Sequence, residues 1–218
     1  MSALSRAVIR GASGHAAVVA DAARASNTFE VVGFLDDVQP ERRGELLAGA
    51  RILGGREQLG GLLSSGTTVV LLGVGDCAAR LRLADESEAL GFELGTVIHP
   101  RATIGAGVLI GAGTFIAAGA VVNAQARIGR AVIVNTNAVV EHHCELGDGS
   151  HVSPGALLAG AVKVGKLSWV GLGAAVIEKI RVGDGTIVGA GAVVVRDLSD
   201  EVVAYGVPAR VQRRAGPR

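Results

Sequence analysis

Residues 128–152 have the sequence IGRAVIVNTNAVVEHHCELGDGSHV, and every sixth residue of this stretch is aliphatic: Ile128, Val134, Val140, Leu146 and Val152. The same spacing extends in both directions, from Ile98 to Val194, over 17 positions without an insertion, and all 17 are Ile, Val or Leu. A fixed period of this length is an internal repeat, in which each unit buries its apolar side by stacking on its neighbours. The stretch therefore predicts a β-solenoid of hexapeptide repeats, with three repeats in each triangular coil.

The composition supports this prediction and excludes several classes of protein. Aromatic residues make up only 3% of the chain and 33 residues are glycine, which suits small and β-branched side chains stacked in coils. A formal net charge of +1 argues against a nucleic-acid partner, which needs a concentrated basic face. Cys77 and Cys144 show no paired spacing, so we expect no disulfide framework. No long apolar run is present, so we expect a cytoplasmic protein without a membrane segment.

The first hundred residues have a different pattern, in which short apolar runs alternate with helical segments. The predicted strands cover residues 7–10, 30–35, 51–53 and 69–74, and the predicted helices cover 16–26, 56–63 and 78–90. Such alternation indicates βαβ units and a short, parallel, Rossmann-like sheet. We therefore predict three segments: an α/β domain over 1–97, the β-helix over 98–199 and an arginine-rich, solvated tail over 200–218.

Three predicted strand ends carry residues that suit a nucleotide or a nucleotide sugar. Ligands of parallel sheets gather at the carboxyl ends of the strands, where glycine-rich turns and helix N-termini offer N–H groups to anions. The first turn offers Gly11, Ser13 and Gly14 for phosphate, Asp36 and Asp37 follow the second strand, and Gly75-Asp76 follows the fourth. The turn has Ser13 in place of the middle glycine of the dinucleotide fingerprint, which disfavours a dinucleotide cofactor. A tight strand–helix turn without a ligand is the structural alternative.

One coil of the predicted solenoid is unusually polar. It contains seven polar, ionisable or sulfur-bearing side chains, namely Asn135, Glu141, His142, His143, Cys144, Asp148 and His151. They fit an exposed polar surface, a zinc site formed by His142, His143, Cys144 and His151, or a histidine acting as a general base. Successive solenoid residues point in divergent directions, which disfavours the zinc site, and Glu141 is a candidate to orient the base.

The chain as a whole resembles a known family. The resemblance rests on Gly11-Ala-Ser-Gly-His15, Leu35-Asp36-Asp37, Gly75 followed by Arg80, Asn135 to His142, His151 to Ala156, Leu158-Ala-Gly160 and Gly206 to Arg210. These motifs are similar to those of the bacterial sugar-nucleotide acetyltransferases of the sialic acid O-acetyltransferase type. That family includes N-acetyltransferases of UDP- or GDP-linked 4-amino-4,6-dideoxy sugars.

The resemblance implies a homotrimer of left-handed β-helices, with acetyl-CoA between two solenoids and a nucleotide sugar in the α/β domain. It implies that His142 is the catalytic base and that Asn135 contacts the substrate. His151 and Gly160 match residues near the acetyl-CoA thioester, and Leu172 matches one along the pantetheine. The residues that match the nucleotide-sugar pocket are Gly11, Ser13, Gly14, His15, Asp36, Asp37 and Gly75. One departure is His143, since some relatives have an acidic residue directly after the catalytic histidine.

The sequence thus favours direct transfer of an acetyl group from acetyl-CoA to the amino group of a nucleotide-linked 4-amino-4,6-dideoxy sugar, without a metal. Three alternatives remain at this stage: O-acetylation of a sialic acid or another sugar, a zinc-dependent solenoid hydratase, and a scaffold that binds a nucleotide sugar without chemistry. The nucleotide, the sugar and the group that replaces the acidic residue at position 143 stay open.

Overall fold

A computed structural model describes residues 4–216 of the chain. The chain divides into two compact units, with the boundary between Pro100 and Arg101. Within residues 4–216, no helix is both long and apolar enough to cross a membrane. The helices all lie in the first unit: α1 (Gly14–Ala25), α2 (Leu59–Ser64) and α3 (Cys77–Ala89), with 3-10 turns at Pro40–Arg42 and Arg56–Gln58.

The first unit is built on one twisted sheet. Its strands are β1 (Ser5–Arg10), β2 (Phe29–Leu35), β3 (Leu46–Leu47), β4 (Ala50–Gly54), β5 (Val69–Leu72) and β6 (Glu93–Leu94), and a short strand β7 (Val97–Ile98) follows. The order across the sheet is β3-β4-β2-β1-β5-β6, and only β3 is antiparallel. The central strands β1 and β5 carry the core of this sheet, with Ile9 and Leu71 fully buried. The predicted α/β class is confirmed.

The order of strands fixes where a ligand can bind in this sheet. The chain passes from β1 outward through β2 to β4, and then returns to the other side of β1 to form β5. The connections after β1 and β5 therefore leave the sheet in opposite directions. A crevice opens at such a switch point, beyond the carboxyl ends of the two strands.

The second unit is a left-handed parallel β-helix of hexapeptide repeats, as predicted. Its short strands are β8 (Thr103–Ile104), β9 (Leu109–Ile110), β10 (Phe115–Ile116), β11 (Val121–Val122), β12 (Arg127–Ile128), β13 (Ile133–Val134), β14 (Val139–Val140), β15 (Glu145–Leu146), β16 (His151–Val152), β17 (Leu157–Leu158), β18 (Lys163–Val164), β19 (Trp169–Val170), β20 (Ala175–Val176), β21 (Arg181–Val182), β22 (Ile187–Val188) and β23 (Val193–Val194). Each strand from β8 to β20 pairs in parallel with the strand three places later, so residues 18 apart are neighbours, as Ile133 and His151 are. The second residue of the strand points inward, and Val134, Val152 and Val170 are fully buried.

The corners of the β-helix require a left-handed backbone. Every sixth residue from Gly107 to Gly191 has a positive φ, between 55° and 70°. Glycine adopts this conformation without strain, and Asn and His tolerate it better than most residues. The αL position lies three residues after the inward aliphatic residue, and His143 occupies one of these positions with φ 59°.

The strands form three faces whose outward residues differ in character. The Trp169 face contains β10, β13, β16, β19 and β22, and its outward residues include His151 and Trp169. On the apolar face, which contains β8, β11, β14, β17, β20 and β23, five outward residues in a row are aliphatic: Val121, Val139, Leu157, Ala175 and Val193. On the charged face, the outward residues of β12, β15, β18 and β21 are Arg127, Glu145, Lys163 and Arg181.

The segment predicted as a tail contains regular structure within its described part. Residues 202–214 form a hairpin of β24 (Val202–Gly206) and β25 (Ala209–Arg214). Strand β24 pairs in parallel with β22 and so extends the Trp169 face by two strands. The apolar run 202–204 and the alternating apolar residues in 209–211 were the signal in the sequence, which the cluster of arginines obscured.

Candidate active site

The switch point of the α/β sheet contains a cavity of about 430 Å³. Its walls come from the turns after β1, β2 and β5, and include Gly11, Ser13, Asp36, Asp37 and Val74. The predicted residues Gly14, His15 and Gly75 are not among the lining residues, although Gly75 lies against the ring of His15. The structure therefore brings four of the seven predicted residues together around one cavity.

The turn after β1 combines a position that only glycine can occupy without strain with the N-terminus of α1. Gly11 has φ 114°, and a Cβ atom there would lie 2.8 Å from the carbonyl oxygen of Gly73, so no other residue fits without strain. Ser13 is the N-cap of α1, but its side chain makes no capping hydrogen bond. The first N–H groups of a helix lack partners within the helix, and the positive end of its dipole favours an anion. The turn can thus receive a phosphate group.

The two neighbouring aspartates have different functions in the structure. Asp36 is 7% exposed, and its carboxylate accepts hydrogen bonds from the N–H groups of Val38 and Gln39 and from Arg42. It therefore shapes the loop after β2. Asp37 is more exposed, and its Oδ2 accepts a hydrogen bond of 2.6 Å from the buried guanidinium of Arg10.

Arg42 is a cationic group in the cavity that the sequence analysis did not identify. Its Nη1 donates to the carbonyl oxygen of Ala12 and to Asp36, and its Nε donates to Glu45. The hydrogen bond to Glu45, followed by that to Asp36, raises the pKa of Arg42. Its Nη2 has no acceptor within residues 4–216, so two N–H donors remain for a ligand.

A second buried arginine, Arg80, stabilises the turn after β5 next to the cavity. Arg80 on α3 is 1% exposed and donates to the carbonyl oxygens of Leu72 and Val74, at the end of β5. Desolvation lowers the pKa of Arg80 to about 9, so the guanidinium keeps its charge at neutral pH. It thereby holds the turn after β5 in the shape that lines the cavity.

In the β-helix, His142 and Gly160 form the first of two polar arrangements. His142 lies in the corner between the apolar and charged faces, and Gly160 lies one coil further along. A Cβ atom at Gly160 would be 2.7 Å from both Cε1 and Nε2 of His142, so the imidazole lies directly over the glycine. The main-chain N–H of Gly160 has no acceptor among the described residues.

Side chains cap main-chain donors at another corner of the β-helix. At the corner between the charged and Trp169 faces, the N–H groups of Arg130 and Lys166 donate to Asp148 and Asp184, each at 2.9 Å. At the corner of Gly160, the residue one coil later is Glu178, and no such bond forms among the described residues. The N–H next to His142 therefore stays available to a ligand.

The partner of the His142 ring is His143. The two Nδ1 atoms lie 3.0 Å apart, and the rings meet edge to face at 85°. Glu141, predicted to orient the base, instead accepts a hydrogen bond of 3.2 Å from the main-chain N–H of His142. The carboxylate thus fixes the backbone of the corner, while the neighbouring histidine contacts the ring.

The second arrangement lies on the Trp169 face. His151 is 5% exposed, stacks on Trp169 with ring centroids 5.0 Å apart, and its Nε2 lies 3.0 Å from Nδ2 of Asn135. The indole N–H of Trp169 donates to the hydroxyl of Ser153. Within one chain, the structure therefore joins Asn135 to His151 rather than to His142.

The remaining predicted residues are placed as follows. Leu172 is 59% exposed and lies in the corner that also contains Asn135, two coils further along. Cys144 is buried, its thiol donates to the carbonyl oxygen of Ala159, and burial raises its pKa to about 11. Within residues 4–216, no three His, Cys, Asp or Glu side chains converge in a way that could hold a metal ion.

Comparisons with known proteins agree with this architecture. Residues 6–87 match the family model of the PglD N-terminal domain, and residues 125–160 match that of the bacterial transferase hexapeptide repeats. PerB from Caulobacter crescentus, solved in complex with CoA and GDP-perosamine, is 39% identical with a TM-score of 0.91, over 96% of this chain and 98% of that one. The chain belongs to the sugar-nucleotide acetyltransferase family.

Two further solved structures have the same fold. The acetyltransferase domain of PglB from Neisseria gonorrhoeae is 37% identical, with a TM-score of 0.90 over 95% of this chain and 100% of that one. WeeI from Acinetobacter baumannii is 25% identical, with a TM-score of 0.84 over 94% and 99% of the two chains. Among curated protein sequences, none matched the chain.

As a member of the sugar-nucleotide acetyltransferases, the chain contains site residues that its sequence motifs do not reveal. Arg42 lies in a segment whose sequence suggests only a charged surface, and Arg10 is the last residue of β1, directly after three apolar residues. Trp169 is the exception, because it is the single tryptophan and is 18 residues after His151. The coil period alone would have predicted this stacking.

Proposed function

We propose that the protein transfers the acetyl group of acetyl-CoA to the amino group of a nucleotide-linked 4-amino-4,6-dideoxy sugar. The observation that carries the proposal is the juxtaposition of a base and an anion-binding donor, the imidazole of His142 over the unpaired N–H of Gly160. Acyl transfer needs both groups, because the attacking amine loses a proton while negative charge develops on the thioester oxygen. PerB, solved with CoA and GDP-perosamine, supports the same pair of substrates.

The proposed reaction proceeds in a ternary complex. The sugar amine attacks the thioester carbonyl, forming the C–N bond, and Nε2 of His142 accepts the proton of the amine. The N–H of Gly160 donates to the oxyanion of the tetrahedral intermediate. The intermediate then collapses, the C–S bond breaks, and the CoA thiolate leaves and takes up a proton. Cys144 has no covalent function here, because its thiol stays protonated at neutral pH.

In the α/β domain, we assign the cavity at the switch point to the nucleotide sugar. The diphosphate is proposed to lie at the turn of Gly11 and Ser13 and to accept hydrogen bonds from Nη2 of Arg42. Asp37, held by Arg10, is proposed to accept hydrogen bonds from the ribose or the base. In this arrangement Asp36 acts indirectly, by fixing Arg42 in the cavity.

We also propose that the enzyme is a homotrimer that assembles through the apolar face. The outward column from Val121 to Val193 is entirely aliphatic, and Leu157 in its centre is 48% exposed in a single chain. The two corners that border this face contain Asn135 and His142. Packing of the face against another subunit would therefore place both corners at subunit clefts, where acetyl-CoA is proposed to bind near His151, Gly160 and Leu172. A cytoplasmic location, where acetyl-CoA is available, is part of the proposal.

The first experiment screens UDP-, GDP-, TDP- and CMP-linked 4-amino sugars with acetyl-CoA, and measures release of the CoA thiol and the mass of the acetylated product. We expect one nucleotide class to be acetylated on nitrogen. Replacing His142 with Asn should lower kcat by about 10²- to 10⁴-fold with little change in KM. Lys163→Ala on the charged face is the control. An unchanged kcat in the His142 variant would remove the assignment of the base, and product acetylated on oxygen would favour sugar O-acetylation.

The trimer has a separate test. Leu157→Arg should reduce the sedimenting mass to that of a monomer and abolish activity, because a charge cannot be buried unpaired in an apolar interface. A variant that remains trimeric would exclude the apolar face as the interface.

A further inference from the structure

The contact between His142 and His143 constrains the protons of both rings. A hydrogen bond between two Nδ1 atoms at 3.0 Å needs one donor and one acceptor, so a single proton lies between them. When His142 donates, its own Nε2 has a lone pair and can accept a proton. When His143 donates, Nδ1 of His142 is the acceptor, and its Nε2 carries hydrogen and cannot act as a base.

We propose that His143 is a positioning residue for the acetyl transfer: as a neutral imidazole, it accepts the Nδ1–H of His142 and so selects the basic form of Nε2. This proposal rests on the proposed function, in which His142 takes the proton of the amine. It assigns to a histidine the task that an acidic residue would perform at this position. The active form of the pair has both rings neutral, and one added proton on either ring inactivates it.

Hydrogen bonds to the neighbouring coils hold the main chain of both histidines. The main-chain N–H of His143 donates to the carbonyl oxygen of Ala124 in the coil below, and the carbonyl oxygen of His142 accepts from Ala161 in the coil above. The αL conformation of His143 belongs to the regular corner and does not depend on its side chain, since every sixth residue adopts it. The β-helix therefore fixes the main chain from which both rings project.

The charged groups near the pair are few. Glu141 is adjacent but accepts from the main-chain N–H of His142. The neighbouring corners, residues 123–125 below and 159–161 above, contain no charged side chain. Glu178 and Lys179 lie in the corner beyond and have opposite charges. The direct partner of each ring in this part of the β-helix is therefore the other ring.

Three substitutions of His143 separate this role from a purely structural one. His143→Asn supplies a neutral amide oxygen as acceptor, and should keep the maximal kcat/KM within about threefold, since one neutral hydrogen bond replaces another. His143→Ala removes the acceptor, and should lower kcat about tenfold with little change in KM. His143→Asp stabilises the protonated form of His142, and should move the acid limb of the pH–rate profile upward by about one pH unit.

The assay is the acetylation of the acceptor identified by the nucleotide-sugar screen, measured as kcat and KM across the pH range. Titration of the substrate amine affects all variants equally and cancels in the comparison. Gln125→Asn is the matched control, because Gln125 occupies the same αL position one coil below. Thermal unfolding confirms that the variants fold, and Asn and Asp both tolerate a left-handed backbone.

Full activity of His143→Ala, together with coincident acid limbs for His143→Asp and the wild type, would overturn the proposal. If His142→Asn is inactive at the same time, the proposed function stands and only the role of His143 is lost. If His142→Asn is active, the assignment of the base itself has failed.

Discussion

Gly160→Ala tests the geometry of the proposed active site with a single methyl group. The added Cβ would lie 2.7 Å from Cε1 and Nε2 of His142, whereas carbon contacts settle near ~3.5–4.0 Å, so the ring must move by roughly 1 Å. A misplacement of about 1 Å at a reacting group can reduce the rate by about 10²-fold, which corresponds to ~2.7 kcal/mol of transition-state stabilisation. We therefore expect kcat to fall about 100-fold.

The fold should tolerate this substitution. Gly160 does not have a positive φ, so alanine fits its backbone, and His142 is exposed enough for the ring to swing outward. The main-chain N–H at position 160 is retained, so KM for acetyl-CoA should change little. Steady-state kinetics for both substrates measure the split between kcat and KM, and urea denaturation measures stability. Gly60→Ala is the control, because nothing lies within 4 Å of its added Cβ. A wild-type kcat for Gly160→Ala would refute the assigned contact between the imidazole and this glycine.

Three further predictions concern other parts of the chain. Arg42→Met should raise KM for the nucleotide sugar by about tenfold or more, the value of a charge-assisted hydrogen bond, while the neighbouring Arg43→Met should not. The Cys144 thiol has a pKa raised by burial from 9.0 to about 11, so the folded state binds more protons than the unfolded state between these values. Its stabilising contribution is complete below about pH 9 and is lost as the pH rises to about 11, and urea denaturation across this range should show a steeper loss for the wild type than for Cys144→Ala. Arg10→Met should lower the free energy of unfolding by about 1–2 kcal/mol, because charge-assisted hydrogen bonds to the partly exposed Asp37 and Glu86 are lost, and an unchanged urea midpoint would contradict this.

The β-helix could be predicted from its sequence because its geometry is periodic. An inward aliphatic residue every six positions fixes the strands, and three such repeats fix which residues stack. The contact of His142 with Gly160 and that of His151 with Trp169 both follow from a separation of 18 residues. The αL corners were not predicted, because only some of them are glycine and the others include residues as bulky as Leu167. At these corners the coil imposes a left-handed backbone on residues that do not favour this conformation.

The pocket of the α/β domain could be predicted only in part. The glycine turn and the strand ends indicate where a ligand binds, because the topology of a parallel sheet fixes its switch point. They do not reveal that Asp36 is occupied by its own loop while Asp37 depends on Arg10. Asp36 bonds to main-chain N–H groups within its own loop, but the bond between Arg10 and Asp37 joins residues 27 positions apart through a long side chain, and no local pattern encodes it. Arg42 remained outside the prediction for the same reason.

His143 follows the conformational rule of the corners, but its side chain has a chemical role that other corner residues lack. At the level of the backbone, it is an ordinary corner residue with a left-handed conformation, equivalent to Gln125 below and Ala161 above. At the level of chemistry, its Nδ1 determines which nitrogen of His142 carries a proton. An acidic residue at the same position would hold the same tautomer and also stabilise the imidazolium, which strengthens the base but extends its protonated form to higher pH. A neutral histidine orients the base without stabilising the imidazolium. In the His143→Asp variant, His142 should therefore be a stronger base, and the activity at low pH should be lower than that of the wild type.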